Sequence, residues 1–374
     1  MSNQRIRLAI LSGAIPLTAI AASPVLGQPT AASAYGTDEA FATFTPHDDR
    51  IVHRIDYSIW TEALRNFVVS MGPPLRKMPW SKAGTLGTRS RHGHNSMYRL
   101  EGSMIGFSFM NDEVRDSFTE YREDLQRVAD GLDIQSLPRN EQLAYWLNLH
   151  NVAMVEQIAK AWPIRQPRDI EIGGVPLDDA KFITVEGVKL SPKDIRTKIV
   201  YPNWKSSKVI YGFWRGEIGG PAMQREAFEA STVSGLLEVA AREFANSRRG
   251  VENRGSTLHV SHFYEEAAPF YFPDLDSDLR AHLLQFANDE MVERIAKTSI
   301  IETTLREHDI ADLAGGARDN PFFSSGRLGV GVASLLSERR GKYDYMERRD
   351  IPTGIVIFND IRLPGDPADK GEVE

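Results

Sequence analysis

The segment at 214–221 places a carboxylate and a guanidinium among glycines, next to a tryptophan. It reads Trp-Arg-Gly-Glu-Ile-Gly-Gly-Pro and follows an aromatic run. Glycines after a strand allow the backbone to approach a neighbour closely, and a carboxylate beside an aromatic wall can have a raised pKa and act as a general acid or base. We therefore predict Glu217 as the acid–base group, with Trp214 and Arg215 contacting a ligand. The alternative is a solvated Glu217 that pairs with Arg215.

A second candidate lies in an apolar stretch with helical periodicity at 140–162. On a helix, Glu141, Tyr145 and Asn148 fall within about 40° of one another, and Asn151 lies about 60° further round. A buried amide without a partner costs roughly 1–3 kcal/mol. The two asparagines must therefore bond either to a ligand or, as most buried amides do, to the protein itself. The predicted ligand-binding residues are Asn148, His150, Asn151, Trp214 and Arg215.

His262 is the predicted base that acts together with Glu217. Asp360 is expected near the end of a strand, where its carboxylate can orient the imidazole of His262. The alternative for Asp360 is a role in capping a turn. The predicted catalytic residues are therefore Glu217, His262 and Asp360.

The histidine spacing predicts no metal ligand set. His259 and His262 point to opposite faces of a strand. His92 and His94 have no third ligand nearby in the sequence, whereas zinc takes three or four protein ligands. Because the chain contains no cysteine, thiolate ligands and thiol nucleophiles are excluded. Neither a metal nor another cofactor is expected.

Common hydrolase and nucleotide-binding motifs are absent from the sequence. Ser206 and Ser207 are not part of a Gly-x-Ser-x-Gly elbow. The glycines at 329–334 lack the third glycine and the strand-to-helix setting of a dinucleotide-binding fingerprint. The sequence also has no P-loop and no His-Glu-x-x-His pair.

Hydrophobic periodicity predicts the helices that must position these residues. Apolar stripes indicate helices at 57–69, 112–131 and 140–162, and similar stripes lie at 233–244 and 279–286. The helix at 140–162 carries apolar residues round most of its circumference. It is therefore predicted to be central and buried.

Short runs rich in β-branched and aromatic residues predict the strands. The run at 182–190 reads as a hairpin with a Glu-Gly turn. Further runs lie at 208–213, 257–262 and 354–358. Because these strands are scattered and do not alternate with helices, we predict a helix-rich α+β single domain, with the central helix packed on a small, mainly antiparallel sheet.

The first residues of the chain predict export. Arg5 and Arg7 precede an apolar run at 8–22, and small residues follow, as in a cleaved secretory signal. The run is shorter than the about 20 residues that span a bilayer, so we expect no transmembrane span after cleavage. The alternative is an uncleaved anchor. A cysteine-free chain of this size suits the periplasm better than a small disulfide-rich secreted domain does, and the predicted location is periplasmic or secreted.

The charge of the chain limits its partners. The formal net charge is −7, which repels the phosphate backbone of nucleic acids. We therefore exclude nucleic acid as a partner and expect a small-molecule, glycan or peptide ligand or an envelope protein.

Ordered blocks between 143 and 363 carry a family resemblance. The first reads Leu-Ala-Tyr-Trp-Leu-Asn-Leu-His-Asn at 143–151. Later blocks follow at 190–195, 211–221, 227–244, 259–263 and 358–363. In this order the blocks resemble the DUF547 family, whose central helix has a similar pattern.

The resemblance implies kinship without a known reaction, because the family has no assigned activity to carry over. Some members have a cysteine near the positions of Trp214 and Arg215, which has invited comparison with papain-like and transglutaminase-like folds. This chain has none there, so the resemblance implies no thiol mechanism here. The chain also departs from the family at His150, Ile361 and Pro364, where the family has tyrosine, tryptophan and asparagine.

These patterns divide the chain into consecutive parts. They are a signal peptide at 1–27, a flexible linker at 28–49, an N-terminal helical part at 50–135, a DUF547-like domain at 136–364 and a disordered tail at 365–374.

Two functions fit the sequence. The first is a periplasmic binding or scaffold module, because no complete catalytic set can be assembled. The second is a non-thiol hydrolase or transferase that acts on an envelope glycan or peptide. An enzyme requires the predicted catalytic residues and the two asparagines to converge on one open pocket, whereas a scaffold requires them to be dispersed or satisfied internally.

Overall fold

The computed structural model describes most of the chain between 39 and 352. The described residues are 39–47, 53–76, 94–318 and 329–352. The predicted export signal, the predicted disordered tail, the predicted strand at 354–358, His92 and Asp360 lie outside these ranges.

Helices form about half of the described structure. Each helix predicted from hydrophobic periodicity is present, and further helices occur at 39–42, 263–271, 289–296 and 330–347. The 3₁₀ and π turns at 192–212 are treated below. The helices are α1 (Glu39–Ala42), α2 (Ser58–Phe67), α3 (Asp112–Gly131), α4 (Arg139–Ala161), α5 (Val233–Asn246), α6 (Phe263–Tyr271), α7 (Leu275–Phe286), α8 (Asp289–Ala296) and α9 (Val330–Glu347).

Helix α4 forms the centre of the fold, as its apolar circumference predicts. It begins after Pro138, and nearly all of its side chains are buried. Helix α3 packs alongside it, where Arg122 donates to the fully buried Glu156 at 2.6 Å. Burial on every face means that each polar side chain of α4 needs a partner inside the protein.

The strands form four small sheets around these helices. The pairs β1–β2, β3–β4, β5–β6 and β7–β8 are antiparallel, and β9 adds to β8 in parallel. The α+β fold class is thereby confirmed, with several small sheets in place of one. The strands are β1 (Val68–Ser70), β2 (Ser103–Ile105), β3 (Glu171–Ile172), β4 (Val175–Pro176), β5 (Ile183–Val185), β6 (Val188–Leu190), β7 (Val251–Arg254), β8 (Thr257–Ser261) and β9 (Ile300–Leu305).

The predicted hairpin forms as β5 and β6. Its turn residues Glu186 and Gly187 both have positive φ, at 48° and 79°. Two positive φ values in a two-residue loop are typical of a type I′ turn, whose twist matches that of the strands.

The prediction of a strand at 208–213 is wrong, because this segment forms a 3₁₀ helix, Ser207–Gly212. It packs between the central helix and α5: a Cβ on Gly212 would lie 2.6 Å from Leu147 and 2.9 Å from Leu237. A short apolar run buried on all sides has no periodicity that separates strand from helix. Before it, a π-helical segment, Ile195–Val200, continues a helix that starts at Pro192.

Helix α9 docks onto the sheet formed by β1 and β2. The buried Lys342 donates from Nζ to the carbonyl oxygens of Met71 (2.8 Å) and Leu100 (2.7 Å). Across the described ranges, no helix combines the length and apolar character needed to cross a membrane.

Candidate functional site

Glu217 is positioned by backbone pairing between two distant segments, 216–219 and 307–311. The two segments run antiparallel, with Glu217 opposite Ile310. Their hydrogen bonds join Ile218 N–H to Asp309 O (2.9 Å), Gly219 N–H to Glu307 O (3.0 Å) and Ala311 N–H to Gly216 O (2.7 Å). This pairing brings His308 beside Glu217.

Two glycines make this close pairing possible. Gly216 has a φ of +85°, and a Cβ there would lie 2.4 Å from Ile158 on α4. At Gly219, a Cβ would lie 2.3 Å from the carbonyl oxygen of Glu307. Any larger side chain would push the segment away from the central helix or from 307–311.

His262 enters the site from the junction of β8 and α6. Strand β8 ends at Ser261, so His262 caps α6 and is not a strand residue. Its backbone N–H and its ring Nδ1 both contact the carbonyl oxygen of Leu305, at 3.0 and 3.3 Å. This anchor turns Nε2 toward Glu217.

The side chains of Glu217, His262 and His308 form one cluster, the Glu217 cluster. Glu217 Oε2 lies 2.9 Å from His308 Nδ1 and 3.5 Å from His262 Nε2. The two imidazole centroids are 4.5 Å apart. Each side chain is between 11% and 18% exposed, so the cluster is held by the fold yet reachable from solvent. Its ligand-type atoms all lie within 4.8 Å of one another, which makes it a candidate metal site.

The electrostatics of Glu217 differ from the sequence expectation. Burial acts to raise its pKa, but the hydrogen bonds and charges of His262 and His308 outweigh burial and hold the pKa below its ordinary value. The expectation of a raised pKa is therefore wrong, because the wall beside Glu217 is imidazole. Glu217 is an anion that accepts hydrogen bonds.

Asn148 and Asn151 fix the loops that surround α4. Asn148 donates to Phe228 O (2.7 Å) and accepts from Phe228 N–H (3.1 Å). Asn151 donates to Gly212 O (2.9 Å) and accepts from Trp214 N–H (3.0 Å). Both carboxamides are occupied by backbone, the arrangement stated above as the alternative to ligand binding.

His150 is enclosed in a separate network of charges. Its Nε2 lies 2.9 Å from a nitrogen of Arg196, which can only donate, so the ring proton is on Nδ1, 3.1 Å from Asn151 Oδ1. Arg196 is itself buried between Asp178 (2.8 Å) and Glu266 (2.7 Å). Burial and the charge of Arg196 lower the pKa of His150 to about 3, so the imidazole is neutral.

Arg215 has a partner other than Glu217, and Trp214 is enclosed by the protein. Arg215 pairs with Glu266 and lies over the ring of Phe263, 5.1 Å from its centroid, so the pairing of Arg215 with Glu217 does not form. Trp214 is buried. Of the predicted catalytic residues, the structure brings Glu217 and His262 together, whereas Asn151 contacts the predicted ligand-binding residues Trp214 and His150 in a separate, internal network.

His308 is the functional candidate that sequence reasoning missed. It lies in the acidic triplet Glu-His-Asp at 307–309, far from both partners in the sequence. An imidazole flanked by carboxylates is a weak signal on its own, since surface histidines commonly occur in such settings. The pairing of 307–311 with 216–219 decides its position, and no local pattern encodes that pairing. Asp360 lies outside the described residues, so its predicted orienting role stays a prediction.

Comparison with known proteins gives one family match. Residues 134–245 match the family described as "Protein of unknown function, DUF547". No curated protein and no solved structure matches the chain. The match covers α4 and most of α5 and includes Glu217, whereas His262 and His308 lie beyond it. Over residues 134–245 the chain is thus similar to the DUF547 family.

Proposed function

We propose that this protein is an exported binding module whose ligand site is the Glu217 cluster. The observation that carries the proposal is the convergence of Glu217, His262 and His308 at a place that solvent reaches. The asparagines and His150 are, in contrast, fully engaged in internal bonds. A small number of convergent polar groups that fix the orientation of a ligand is one characteristic feature of ligand sites.

The chemistry of the cluster suits a hydroxyl- or amine-bearing ligand, such as an envelope glycan or peptide. An ionised Glu217 accepts a hydrogen bond, and each imidazole can donate or accept one. A ligand hydroxyl can therefore donate to the carboxylate and accept from a ring N–H at the same point. The basic and apolar N-terminal pattern supports export to the compartment where such ligands occur.

A hydrolase or transferase is the second candidate, because the Glu217 carboxylate contacts the His262 imidazole. In such a pair the ionised carboxylate can serve as the general base, and a protonated imidazole beside it can serve as the general acid. The chain has no thiol, so the base would activate water or a ligand hydroxyl.

A thermal-shift screen of the full chain against envelope glycans and peptides tests the proposal. Specific binding to the native state raises the melting temperature. We expect a hit with the wild type that is lost in Glu217→Gln and in His308→Gln. The matched control is His259→Gln, since His259 contacts Thr304 and Glu302 outside the cluster.

The control must keep the hit for the proposal to stand. If no compound stabilises the wild type, or if His259→Gln loses the hit as fully as Glu217→Gln does, the cluster is not the ligand site. Incubation of each hit with the wild type, followed by product analysis, then separates binding from turnover.

A further inference from the structure

We propose that the Glu217 cluster binds a divalent transition-metal ion of the zinc class. This inference deepens the proposed function, because it concerns the same site and names what holds the ligand there. It rests on the geometry of the three side chains, on the orientation of the His262 ring and on the kind of donor atoms.

The distances suit one small ion. In a tetrahedral zinc site with bonds of about 2.1 Å, neighbouring ligand atoms lie about 3.4 Å apart. The separation of 3.5 Å between Glu217 Oε2 and His262 Nε2 matches this value. The separation of 2.9 Å to His308 Nδ1 is that of a direct hydrogen bond and needs to open by about 0.5 Å. The His308 side chain is partly exposed, and a small rotation of its ring would open this distance.

The orientation of the His262 ring leaves Nε2 as the atom that faces Glu217. Its Nδ1 faces the carbonyl oxygen of Leu305 at 3.3 Å, and a carbonyl can only accept, so Nδ1 carries a proton. In the neutral ring, Nε2 then has a lone pair that faces the carboxylate oxygen of Glu217. The two atoms approach each other at 3.5 Å, a distance at which a metal ion can replace the proton between them and coordinate both.

The Leu305 carbonyl also fits the usual surroundings of a metal-bound histidine. A ligating imidazole typically donates its other N–H to a carbonyl or carboxylate, which fixes the ring and raises its basicity. His262 has this arrangement through Leu305. Its ring is therefore set to present Nε2 before any ion arrives.

The donor atoms select the class of ion. Two imidazole nitrogens and one carboxylate oxygen suit zinc, cobalt, nickel or copper, whereas calcium and magnesium prefer oxygen ligands throughout. Three protein ligands leave a fourth position open, as in sites that exchange water or a ligand. An oxygen of the glycan or peptide can take this position.

The test uses the full chain after a chelator has removed any bound metal. Zinc binding is measured by calorimetric titration, and cobalt binding is measured in a separate titration by visible absorption. We expect one ion per chain and cobalt bands of low-symmetry coordination. Loss of a residue that only hydrogen-bonds a metal ligand typically weakens binding by about 10–100-fold, so removal of a ligand itself in Glu217→Gln or in His308→Gln should weaken zinc binding by at least about 100-fold. His259→Gln removes a nearby imidazole outside the cluster and should leave zinc affinity within about twofold. Circular dichroism of each variant confirms that it is folded.

Absence of zinc binding by the wild type overturns the inference, as does equal weakening in His259→Gln. Because zinc and cobalt are titrated without any glycan or peptide, this failure leaves the ligand screen unaffected. A ligand hit that persists after chelation, with no zinc binding, retains the proposed function and removes only the metal.

Discussion

Asn148 and Asn151 show how single polar residues on a buried helix hold the surrounding chain. Each places a carboxamide against one loop and uses both of its ends there. A carboxamide suits this task because it offers a donor and an acceptor in one plane. Asn151 donates to Gly212 O, and the chain runs from Gly212 directly to Glu217. The Asn151 amide therefore supports the Glu217 cluster indirectly.

Substitution Asn148→Asp should therefore be costly for stability. The carboxylate keeps the acceptor for Phe228 N–H but has no donor for Phe228 O, and it introduces a buried charge. We expect the free energy of unfolding to fall by about 3 kcal/mol, as measured by urea denaturation. The control is Asn111→Asp, because Asn111 caps α3 by accepting from Val114 N–H and aspartate caps equally well. An Asn148→Asp variant as stable as the control would contradict a structural role for this amide.

The individual residues of the site could be predicted only in part. Glu217 and His262 are singled out by the sequence because a carboxylate among glycines and an imidazole beside a strand are recognisable patterns. Their mutual contact, and the presence of His308, depend on the pairing of 216–219 with 307–311. The sign of the pKa change at Glu217 follows from that contact and so could not be read from its immediate neighbours.

Elements with strong periodicity or a clear turn signal could be predicted from the sequence. Helix α3 matches its predicted range, because one apolar stripe sets its face and Asn111 caps its start. The hairpin β5–β6 follows from its Glu-Gly turn. The prediction of a strand at 208–213 fails because burial on all sides removes the alternation of apolar and polar residues that distinguishes a strand.

Two glycine-to-alanine substitutions, one in the β5–β6 turn and one in α9, should change the stability of the protein in opposite directions. Gly187 has a φ of +79° in the hairpin turn, so Gly187→Ala should lower the free energy of unfolding by about 1 kcal/mol. Gly341 lies inside α9, where a Cβ would meet nothing within 4 Å. Gly341→Ala should therefore raise stability by about 1 kcal/mol. Chemical denaturation of both variants checks the pair, and changes of the same sign would contradict the assigned turn or the assigned helix.

Buried titratable groups make the stability of the whole molecule depend on pH. Protonation of some of these groups opposes folding, and protonation of another favours it. His150 and His282 are buried, and their pKa values are lowered to about 3. Asp312 is also buried, and burial raises its pKa to about 6, although Gly316 N–H and the Trp162 side chain donate to it. The unfolded chain takes up protons on both histidines below pH 6.5, whereas the folded chain does not. Asp312 behaves in the opposite way: as the pH falls, the folded chain binds the proton of Asp312 at a higher pH than the unfolded chain does.

The folded state should therefore lose stability on acidification from pH 7 to pH 5. Each histidine contributes a loss of about 2 kcal/mol over this interval, and Asp312 offsets about 1 kcal/mol because its protonation favours the folded state until pH falls toward 3.8. Together these three groups give an expected decrease on the order of 2–3 kcal/mol in the free energy of unfolding.

Urea denaturation at pH 7 and pH 5 measures this decrease. His282→Gln removes one of the two imidazoles and should reduce the loss by about 2 kcal/mol, whereas His53→Gln, which removes an exposed imidazole, should retain it. Equal stability of the wild type at the two pH values would show that the buried imidazoles accept protons without unfolding. In that case the networks around Arg196 and Tyr211 must both rearrange in acid. The guanidinium of Arg196, which can only donate, must move away from His150 Nε2, and the hydroxyl groups of Ser207 and Tyr211 must both turn to accept from His282.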